Sequence, residues 1–472
     1  MKIRNTNILW LAFSSLLVVV IIFLTVELYS NRQGYFSRNF GMAEEATFGS
    51  ARIERVYRTI LSDFITEVDA DELARVAISA MLNSLGDPYS FFLAESLATQ
   101  YNDLVTGEFG GLGITITKNT DGYVYVASTV SGAPAARAGI MTGDYITAVN
   151  GEDIRPLTSD EAVRRLRGPQ GTSVTINVLR GEIRFELSIV REIIEIESVQ
   201  SALIGDDNEI GYVNILTFTP RTPDAMRTAV TRLSSEGARA FIFDVRSNGG
   251  GSYEAVVSMA NDLLDSGTIV SIQARNSRHN RVEQANSRTI IDVNVPIVVL
   301  INEGSASASE IFAGALQDNN RATIIGNTSF GKAQVQSLFP LVNDFSQSFK
   351  ITTAFYYTPG GVNIDNEGIS PDIYIEGIYW NDEAQNNYVA LMLSEQLAYF
   401  RTLGRLATVS ELDGLVAVMQ AEGNILPPIF IKKVASEVAA LSMQDNRPIF
   451  FLEFDEALQK AVGFLEKIIV NN

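Results

Sequence analysis

The sequence contains no cysteine and a single histidine, His279. Disulfides, thiolate nucleophiles, cysteine metal sites and histidine-rich metal sites are therefore excluded. His279 lies in a polar run, where a solvated loop residue is the simplest interpretation. If the chain is a hydrolase, its base has to be another residue type. The formal net charge of −19, with no basic tract against it, argues against nucleic acid as a partner.

An uncharged apolar run over residues 8–26 follows Lys2 and Arg4 at the N-terminus. It is long enough to span a bilayer, and no small-x-small cleavage site follows it. The pattern predicts an uncleaved signal anchor, a transmembrane helix over residues 1–30 whose basic end is cytoplasmic. A cleaved signal peptide is the alternative. Either segment exports the chain.

The rest of the chain divides into five regions by composition and periodicity. Residues 31–50 are polar and predict a linker, and residues 51–100 repeat with a helical period. Residues 101–192 form a module of short strands. Residues 193–378 alternate strands with helices, which predicts an α/β layer. Residues 379–472 are helical and contain no catalytic motif.

The short-strand module begins with a glycine-rich loop, Gly111, Leu112, Gly113 and Ile114, and continues with a short helix and an Asn-Gly turn. This order of motifs resembles a PDZ domain over its whole length. In PDZ domains such a loop turns main-chain N–H groups towards the C-terminal carboxylate of a peptide, which adds a strand beside it. The resemblance therefore implies that these four residues bind C-terminal tails.

A second glycine- and serine-rich stretch lies in the α/β region. Residues 296–316 predict a buried strand, a turn and a helix, and the turn contains Ser305, Ser307 and Ser309. Main-chain N–H groups at a helix N-terminus stabilise a developing negative charge. Taken alone, however, such a turn is more often a helix cap than a catalytic site.

Lys332 follows in the run Phe-Gly-Lys, at the head of another predicted strand. A lysine acts as a general base only if burial lowers its pKa, and Phe330 and Val335 are the apolar neighbours that would bury it. If the strand is extended, Lys332, Gln334 and Gln336 share one face. A solvated surface lysine is the alternative.

Four motifs in this region occur in an order that resembles the C-terminal processing (tail-specific) peptidases. They are Asp-x-Arg-x-Asn-x-Gly-Gly, Gly-Ser-Ala-Ser-Ala-Ser-Glu, Phe-Gly-Lys-x-x-Val-Gln and Tyr-Tyr-Thr-Pro. The resemblance covers residues 51–373. It implies an α/β (α+β) crotonase-like peptidase core, an inserted PDZ domain that acts as a lid or gate, helical N-terminal and C-terminal parts, and no cofactor.

The resemblance also implies roles for individual residues. Ser307 would be the nucleophile, Lys332 the base, and Gln336 the residue that orients the lysine. The N–H groups of Ala308 and Gly250 would form the oxyanion hole. Ser305 and Ser309 are chemically equivalent to Ser307, and only the motif selects the middle serine; Ser309 is interpreted as a helix cap or a supporting residue.

Four further positions stand out. Arg167 matches an arginine that this family uses to sense bound peptide, with an exposed helix-end arginine as the alternative. Glu310 is interpreted as a first-turn helix acid that could also help to position the site. Ala333 and Gly249 depart from the family pattern, which has glycine and proline there.

The leading hypothesis is a serine endopeptidase anchored in the inner (plasma) membrane by one helix, with an extracytoplasmic (periplasmic) catalytic body. It would recognise protein or peptide substrates by their free C-terminal tails and cleave them through an acyl-enzyme. The C-terminal helices are candidates for homo-oligomer contacts. The alternatives are a catalytically silent PDZ adaptor, which would not need these serine, lysine and glutamine residues, and a crotonase-like acyl-CoA enzyme, which would have no use for a PDZ module.

Overall fold

The computed structural model describes residues 44–93, 107–118, 123–130, 132–141, 143–286, 288–341, 347–378, 381–443 and 447–471. The chain divides into two compact units, residues 1–92 and residues 93–472. Within the described ranges, no helix is both long enough and apolar enough to cross a membrane. The apolar run over residues 8–26, on which the predicted anchor depends, lies outside them.

In the first unit, the described residues from 44 onwards form two helices, α1 (Glu44–Asp63) and α2 (Ala70–Asn83). Helix α2 begins where the side chain of Asp69 accepts hydrogen bonds from the main-chain N–H groups of Asp71 and Glu72. This cap satisfies two donors that would otherwise lack partners at the helix start. A short strand, β1 (Phe91–Leu93), follows at the end of the unit.

The second unit begins with the predicted PDZ module. Its elements are β2 (Glu108–Gly111), β3 (Ile114–Lys118), β4 (Val124–Thr129), α3 (Pro134–Arg137), β5 (Tyr145–Val149), β6 (Glu152–Asp153), α4 (Ser159–Leu166), β7 (Ser173–Arg180), β8 (Ile183–Val190) and β9 (Glu192–Glu195). The antiparallel sheet has the order β3-β4-β5-β7-β8, with β6 beside β5, while β2 pairs with β9. Strand β3 is therefore an edge strand, and the glycine-rich loop directly precedes it.

The α/β region follows, as the alternation of strands and helices predicts. Its elements are β10 (Val199–Ile204), β11 (Ile210–Ile215), α5 (Thr222–Ser235), β12 (Ala240–Asp244), α6 (Tyr253–Asn261), β13 (Thr268–Ala274), β14 (Arg281–Gln284), β15 (Ile297–Ile301), α7 (Ala308–Asp318), β16 (Thr323–Gly326), β17 (Gln334–Pro340), β18 (Ser348–Tyr357) and β19 (Ile373–Tyr374).

The main sheet of this region has the order β10-β11-β12-β15-β16-β19. All of its neighbouring strands are parallel except β10, which is antiparallel to β11. Strands β12 and β15 are buried at every position, which is why their sequences are apolar except for Asp244 at the end of β12. A second, antiparallel sheet includes β17, β18, β13 and β14.

The C-terminal helices have two different packing partners. They are α8 (Asp382–Leu393), α9 (Glu395–Phe400), α10 (Val409–Ala421), α11 (Pro428–Leu441) and α12 (Glu456–Asn471). The first four surround their own core, which includes Leu391, Leu415 and Ile431. Helix α12 instead packs on the main sheet, where Leu458 and Leu465 join a cluster with strands β12 and β15. Because a parallel sheet buries both faces, α12 is part of the peptidase fold.

Candidate active site

Two turns meet at the carboxyl ends of neighbouring strands. Strands β12 and β15 are paired in parallel, so the turns that follow them, residues 246–251 and 302–307, lie side by side. The side-chain oxygen of Asn302 accepts hydrogen bonds from the main-chain N–H groups of Ser247 at 2.7 Å and Gly304 at 3.1 Å. Asn302 therefore joins the two turns.

The three serines of the second turn have different surroundings. The hydroxyl of Ser305 donates to the carbonyl oxygen of Val245 at 2.8 Å, and that of Ser309 donates to the carbonyl oxygen of Asn248 at 2.7 Å. Both serines are fully buried. Ser307 is half-buried, and its hydroxyl donates to no group within the described part of the chain. The structure thus separates serines that are chemically equivalent in the sequence.

Ser307 lies immediately before helix α7 with an unusual backbone conformation, φ +56° and ψ −112°. A non-glycine residue in such a conformation costs about 1–3 kcal/mol, and this strain is typical of functional positions. The N–H of Ala308, the first helical residue, has no acceptor in the ranges that the structure describes. That donor is therefore available at the helix N-terminus beside Ser307.

Gly250 lies directly against Ser307 and Ala308. A Cβ atom at position 250 would lie 2.9 Å from the carbonyl oxygen of Ala306 and 2.9 Å from the Cβ of Ser307, and the φ angle is +104°. Only glycine fits this position. Its N–H donates to the side-chain oxygen of Asn248 at 2.9 Å, so an oxyanion would have to replace Asn248 as the acceptor.

The buried carboxylate of Glu310 connects the serine turn to the lysine loop. One carboxylate oxygen accepts hydrogen bonds from the main-chain N–H groups of Ser307 at 2.8 Å and Lys332 at 2.9 Å. The other accepts from the Ser329 hydroxyl at 2.6 Å and the Gly331 N–H at 2.7 Å. Glu310 is only 1% exposed. Four charge-assisted hydrogen bonds therefore fix the two loops relative to each other.

Tyr356 supports the same connection from strand β18. Its hydroxyl lies 3.2 Å from the carbonyl oxygen of Ser307 and also donates to the carbonyl oxygen of Lys332. Burial, followed by the charge of Glu310, raises the pKa of Tyr356 well above its usual value. The phenol is therefore a permanent donor at neutral pH.

Lys332 is half-buried and lies in a loop, not in a strand. Strand β17 begins at Gln334, so Lys332 lies two residues before the strand that carries Gln334 and Gln336, and their shared face stays a prediction. The lysine is partly buried, as expected, although Phe330 is 54% exposed. The lysine loop is fixed instead by main-chain contacts, including a 2.9 Å hydrogen bond from the Phe330 N–H to the carbonyl oxygen of Ser305.

Gln336 lies on strand β17, two residues beyond its start. Its amide nitrogen donates to the carbonyl oxygen of Gln334 at 3.1 Å and lies 3.4 Å from the hydroxyl of Thr352. Because the nitrogen is engaged in this way, the amide oxygen is the atom left to accept a hydrogen bond from a neighbouring amine.

Both departures from the family pattern are accommodated. Ala333 is fully buried in the main core, so its methyl group has a fitted place. A Cβ atom at Gly249 would meet nothing within 4 Å, so packing allows either glycine or a larger residue at this position. Neither residue disturbs the contacts between the serine turn and the lysine loop.

The glycine-rich loop of the PDZ module is fixed against helix α3. The carbonyl oxygens of Leu112 and Gly113 accept hydrogen bonds from the N–H groups of Ala135 at 2.9 Å and Val130 at 2.8 Å. Gly113 has a φ angle of +71°, and a Cβ atom there would lie 2.3 Å from the Cβ of Ala133. Ile114 then opens the edge strand β3.

Arg167 ends helix α4 and stacks on an aromatic ring. Its guanidinium carbon lies 4.2 Å from the centre of the Phe109 ring, which is a cation–π contact. Phe109 belongs to β2, the strand that leads into the glycine-rich loop. The arginine is therefore connected to the start of the predicted tail-binding loop.

The sequence suggested that Glu310 could help to position the site, but it gave no role to Asn302 or Tyr356. Tyr356 occurs within a quoted motif, which marked the position without indicating its contacts. Asn302 directly follows a buried strand, and an amide at the carboxyl end of a parallel strand is the pattern that could have indicated it.

The fold and the site define a serine-type peptidase with a mixed α/β core and a PDZ domain, and comparisons with known proteins agree. The model of peptidase family S41 matches residues 209–375, and the PDZ domain model matches residues 104–179. A model named for the N-terminal domain of the activating protease CtpB matches residues 23–96. The chain belongs to peptidase family S41, which confirms the resemblance to the C-terminal processing peptidases.

Named relatives show how far this similarity extends. A carboxy-terminal-processing protease of Bartonella bacilliformis is 37% identical over 362 residues, which are 75% of this chain and 81% of the relative. A Staphylococcus aureus protein named "Probable CtpA-like serine protease" is 36% identical over 327 residues, 69% of this chain and 64% of that protein. The solved structure of a photosystem II D1 C-terminal processing protease is 31% identical, with a TM-score of 0.41 over 68% of this chain and 86% of that one.

Proposed function

We propose that the protein is a membrane-anchored endopeptidase in which Ser307 is the nucleophile and Lys332 is the general base. The observation that carries this proposal is the difference between the three serines. Ser305 and Ser309 donate their hydroxyls to main-chain carbonyls, whereas the Ser307 hydroxyl donates to no group among the described residues. Glu310 connects the main chain of Ser307 to that of Lys332, which keeps the proposed nucleophile and base in neighbouring loops.

The proposed reaction proceeds through an acyl-enzyme. The neutral amine of Lys332 accepts the Ser307 hydroxyl proton while the serine oxygen attacks the peptide carbonyl carbon. The N–H of Ala308 donates to the oxyanion, and the N–H of Gly250 joins it once it leaves Asn248. The lysine then gives the proton to the leaving amine, and the same residue activates a water molecule that hydrolyses the ester. The amide oxygen of Gln336 orients the lysine.

Substrate selection is proposed to occur at the PDZ module. Strand β3 lies at the edge of its sheet, where an extended tail can add a further strand. Gly111, Leu112, Gly113 and Ile114 would surround the terminal carboxylate. Arg167, stacked on Phe109 beside this loop, would report its occupancy to the rest of the unit.

The proposed location is the inner (plasma) membrane, with the peptidase body in the extracytoplasmic (periplasmic) space. It is supported by the apolar run over residues 8–26, with Lys2 and Arg4 before it. Self-association through the C-terminal helices and a crotonase-like origin of the core belong to the same proposal.

The test is an assay of a model protein that carries either an apolar C-terminal tail or a charged one. We expect Ser307→Ala and Lys332→Ala each to abolish tail-dependent cleavage, while the exposed-lysine control Lys460→Ala cleaves normally. The melting temperatures of all variants should be close to that of the wild type. Retained cleavage by Ser307→Ala would overturn the assignment, and tail binding without cleavage by the wild type would identify an adaptor.

A further inference from the structure

A buried ion cluster joins the C-terminal region to the turn that carries Gly250. The Arg246 guanidinium is 17% exposed and lies between two carboxylates, at 2.6 Å from Asp244 and 2.7 Å from Asp455. Asp244 is the last residue of strand β12. Asp455 directly precedes helix α12, near the C-terminus of the chain. A carboxylate from the C-terminal region thus completes the surroundings of a core arginine.

Asp455 is held in place by contacts of its own. Its carboxylate accepts hydrogen bonds from the Lys433 ammonium at 2.9 Å and from the Leu458 N–H at 3.0 Å, which caps helix α12. Burial would raise the pKa of Asp455, but the charges of Arg246 and Lys433 lower it below its usual range. The carboxylate is therefore charged and fixed at neutral pH.

Arg246 is the first residue of the turn that contains Gly250. The next residue, Ser247, has a φ angle of +57°, and Asn248 is 2% exposed, with its carbonyl oxygen bound to the N–H of Ala306 at 3.0 Å. The main chain between the guanidinium and Gly250 is therefore tightly constrained. A displacement of Arg246 should therefore also displace Gly250, because the main chain between them has little conformational freedom.

The two regions also share a cavity of about 450 Å³. Ser247 and Asn302 of the active-site turns line it, together with Glu437 and Phe450 of the C-terminal region. The C-terminal region therefore lies against the outer side of the two turns. Its contact with the site includes charged groups as well as apolar packing.

Stability alone does not account for this arrangement. A buried ion pair contributes little net stability, because desolvation of the two charges offsets their attraction, and apolar residues often replace such pairs without loss. What the cluster adds is orientation. Asp244 holds Nε and Nη2 of the Arg246 guanidinium, and Asp455 accepts from the remaining Nη1, so the planar group has carboxylates on two sides and little freedom to turn.

We propose that Asp455 is a positioning residue for catalysis. Its carboxylate fixes the Arg246 guanidinium, and Arg246 fixes the turn that presents Gly250 to the oxyanion. The C-terminal helical region is then an integral part of the active site. This inference rests on the proposed function, because it assigns the turn a role in the reaction of Ser307.

The test compares four variants by steady-state kinetics, with rates corrected for titrated active sites. Asp455→Asn is nearly isosteric and keeps an acceptor for the cap of helix α12. Lys433→Gln removes the other partner of Asp455 but leaves the contact with Arg246. Asp413→Asn removes an exposed ion pair with Lys432 in the same region and serves as the control.

We expect Asp455→Asn to lower kcat at least about tenfold with KM and tail-peptide affinity nearly unchanged, because a 1 Å misplacement can cost about a hundredfold. Asp413→Asn should remain within about twofold of the wild type, and Lys433→Gln, whose amide can still donate to Asp455, should lose clearly less kcat than Asp455→Asn. Asp455→Ser, which also keeps a cap without the charge, should show the same separation of kcat from KM.

Two results would overturn the inference. One is an unchanged kcat for both Asp455 variants, and the other is an equal loss in Lys433→Gln, which would indicate general loosening of the C-terminal region. If Ser307→Ala retains activity in the same assay, the proposed function itself fails. An inactive Ser307→Ala beside a fully active Asp455→Asn refutes only the positioning role.

Discussion

The carboxylate of Glu310 accepts the main-chain N–H of Lys332 at 2.9 Å. The same oxygen accepts the N–H of Ser307 at 2.8 Å. A single buried atom thus links the proposed nucleophile to the proposed base through their backbones. The distance between the Ser307 and Lys332 side chains therefore depends on the backbone positions of both loops as well as on the side-chain rotamers.

Replacement of Glu310 by glutamine should damage both stability and activity. An amide group would face N–H donors with its own N–H₂ group, and we expect a loss of about 3 kcal/mol in the free energy of unfolding. Displacement of the lysine loop should lower kcat by about a hundredfold or more. Denaturant unfolding and cleavage kinetics measure the two effects. The exposed Glu303→Gln serves as the matched control, and equal behaviour of the two variants would contradict the assigned role.

Gly250→Ala should abolish cleavage. The added Cβ atom would lie 2.9 Å from the Cβ of Ser307, and alanine does not tolerate a φ angle of +104°. We expect kcat to fall by about a hundredfold or more, as for the loss of an oxyanion donor. Gly249→Ala is the matched control, because its Cβ atom would face open space, and it should retain most activity. Similar losses in both variants would mean that the turn simply tolerates no side chain.

Ser305→Ala and Ser309→Ala should retain tail-dependent cleavage that Ser307→Ala lacks. Each removes one hydroxyl that donates to a buried carbonyl, which costs about 1–2 kcal/mol of stability. Thermal unfolding and the cleavage assay separate the two effects. If a well-folded Ser309→Ala variant were inactive while Ser307→Ala remained active, the nucleophile would have to be reassigned to Ser309.

The stability contributed by Asp455 should depend on pH. Its pKa is lowered in the folded protein, and an unfolded aspartate has a pKa of about 3.9. The stabilisation is therefore fully present above about pH 5 and is lost as the pH falls below about 4. We expect Asp455→Asn to be less stable than the wild type by about 3 kcal/mol at neutral pH, with a smaller difference in acid. A difference that stays constant from neutral pH to about pH 3 would contradict the ionic interpretation.

Much of the fold was predictable from local patterns. Strand β15 is apolar at each position, and β12 is apolar up to its last residue, Asp244, because both faces of the parallel sheet are buried; such runs are easily recognised in the sequence. The PDZ module was recognisable because its loop needs glycine where the backbone adopts a φ angle of +71° at Gly113. These structural requirements are local, so they can be recognised from the residue types at individual positions in the sequence.

The terminal helix α12 was less predictable. The sequence predicted that residues 379–472 are helical but did not indicate what each helix packs against. The structure places Leu458 and Leu465 on the main sheet, separately from the other C-terminal helices. A helical period specifies which face of a helix is buried, and the course of the chain decides what that face covers.

The sequence by itself excluded thiolate chemistry, because it has no cysteine, and it offered a single, exposed histidine; the resemblance of its motifs to a known family then predicted a serine with a lysine base. Only the tertiary structure decided how the three serines of one turn differ. Ser305 and Ser309 point their hydroxyls at carbonyls that follow strand β12, and Ser307 does not. The physical reason is that hydrogen-bond partners are set by which strands are neighbours in the sheet, and Val245 and Asn248 are about 60 residues away in the sequence.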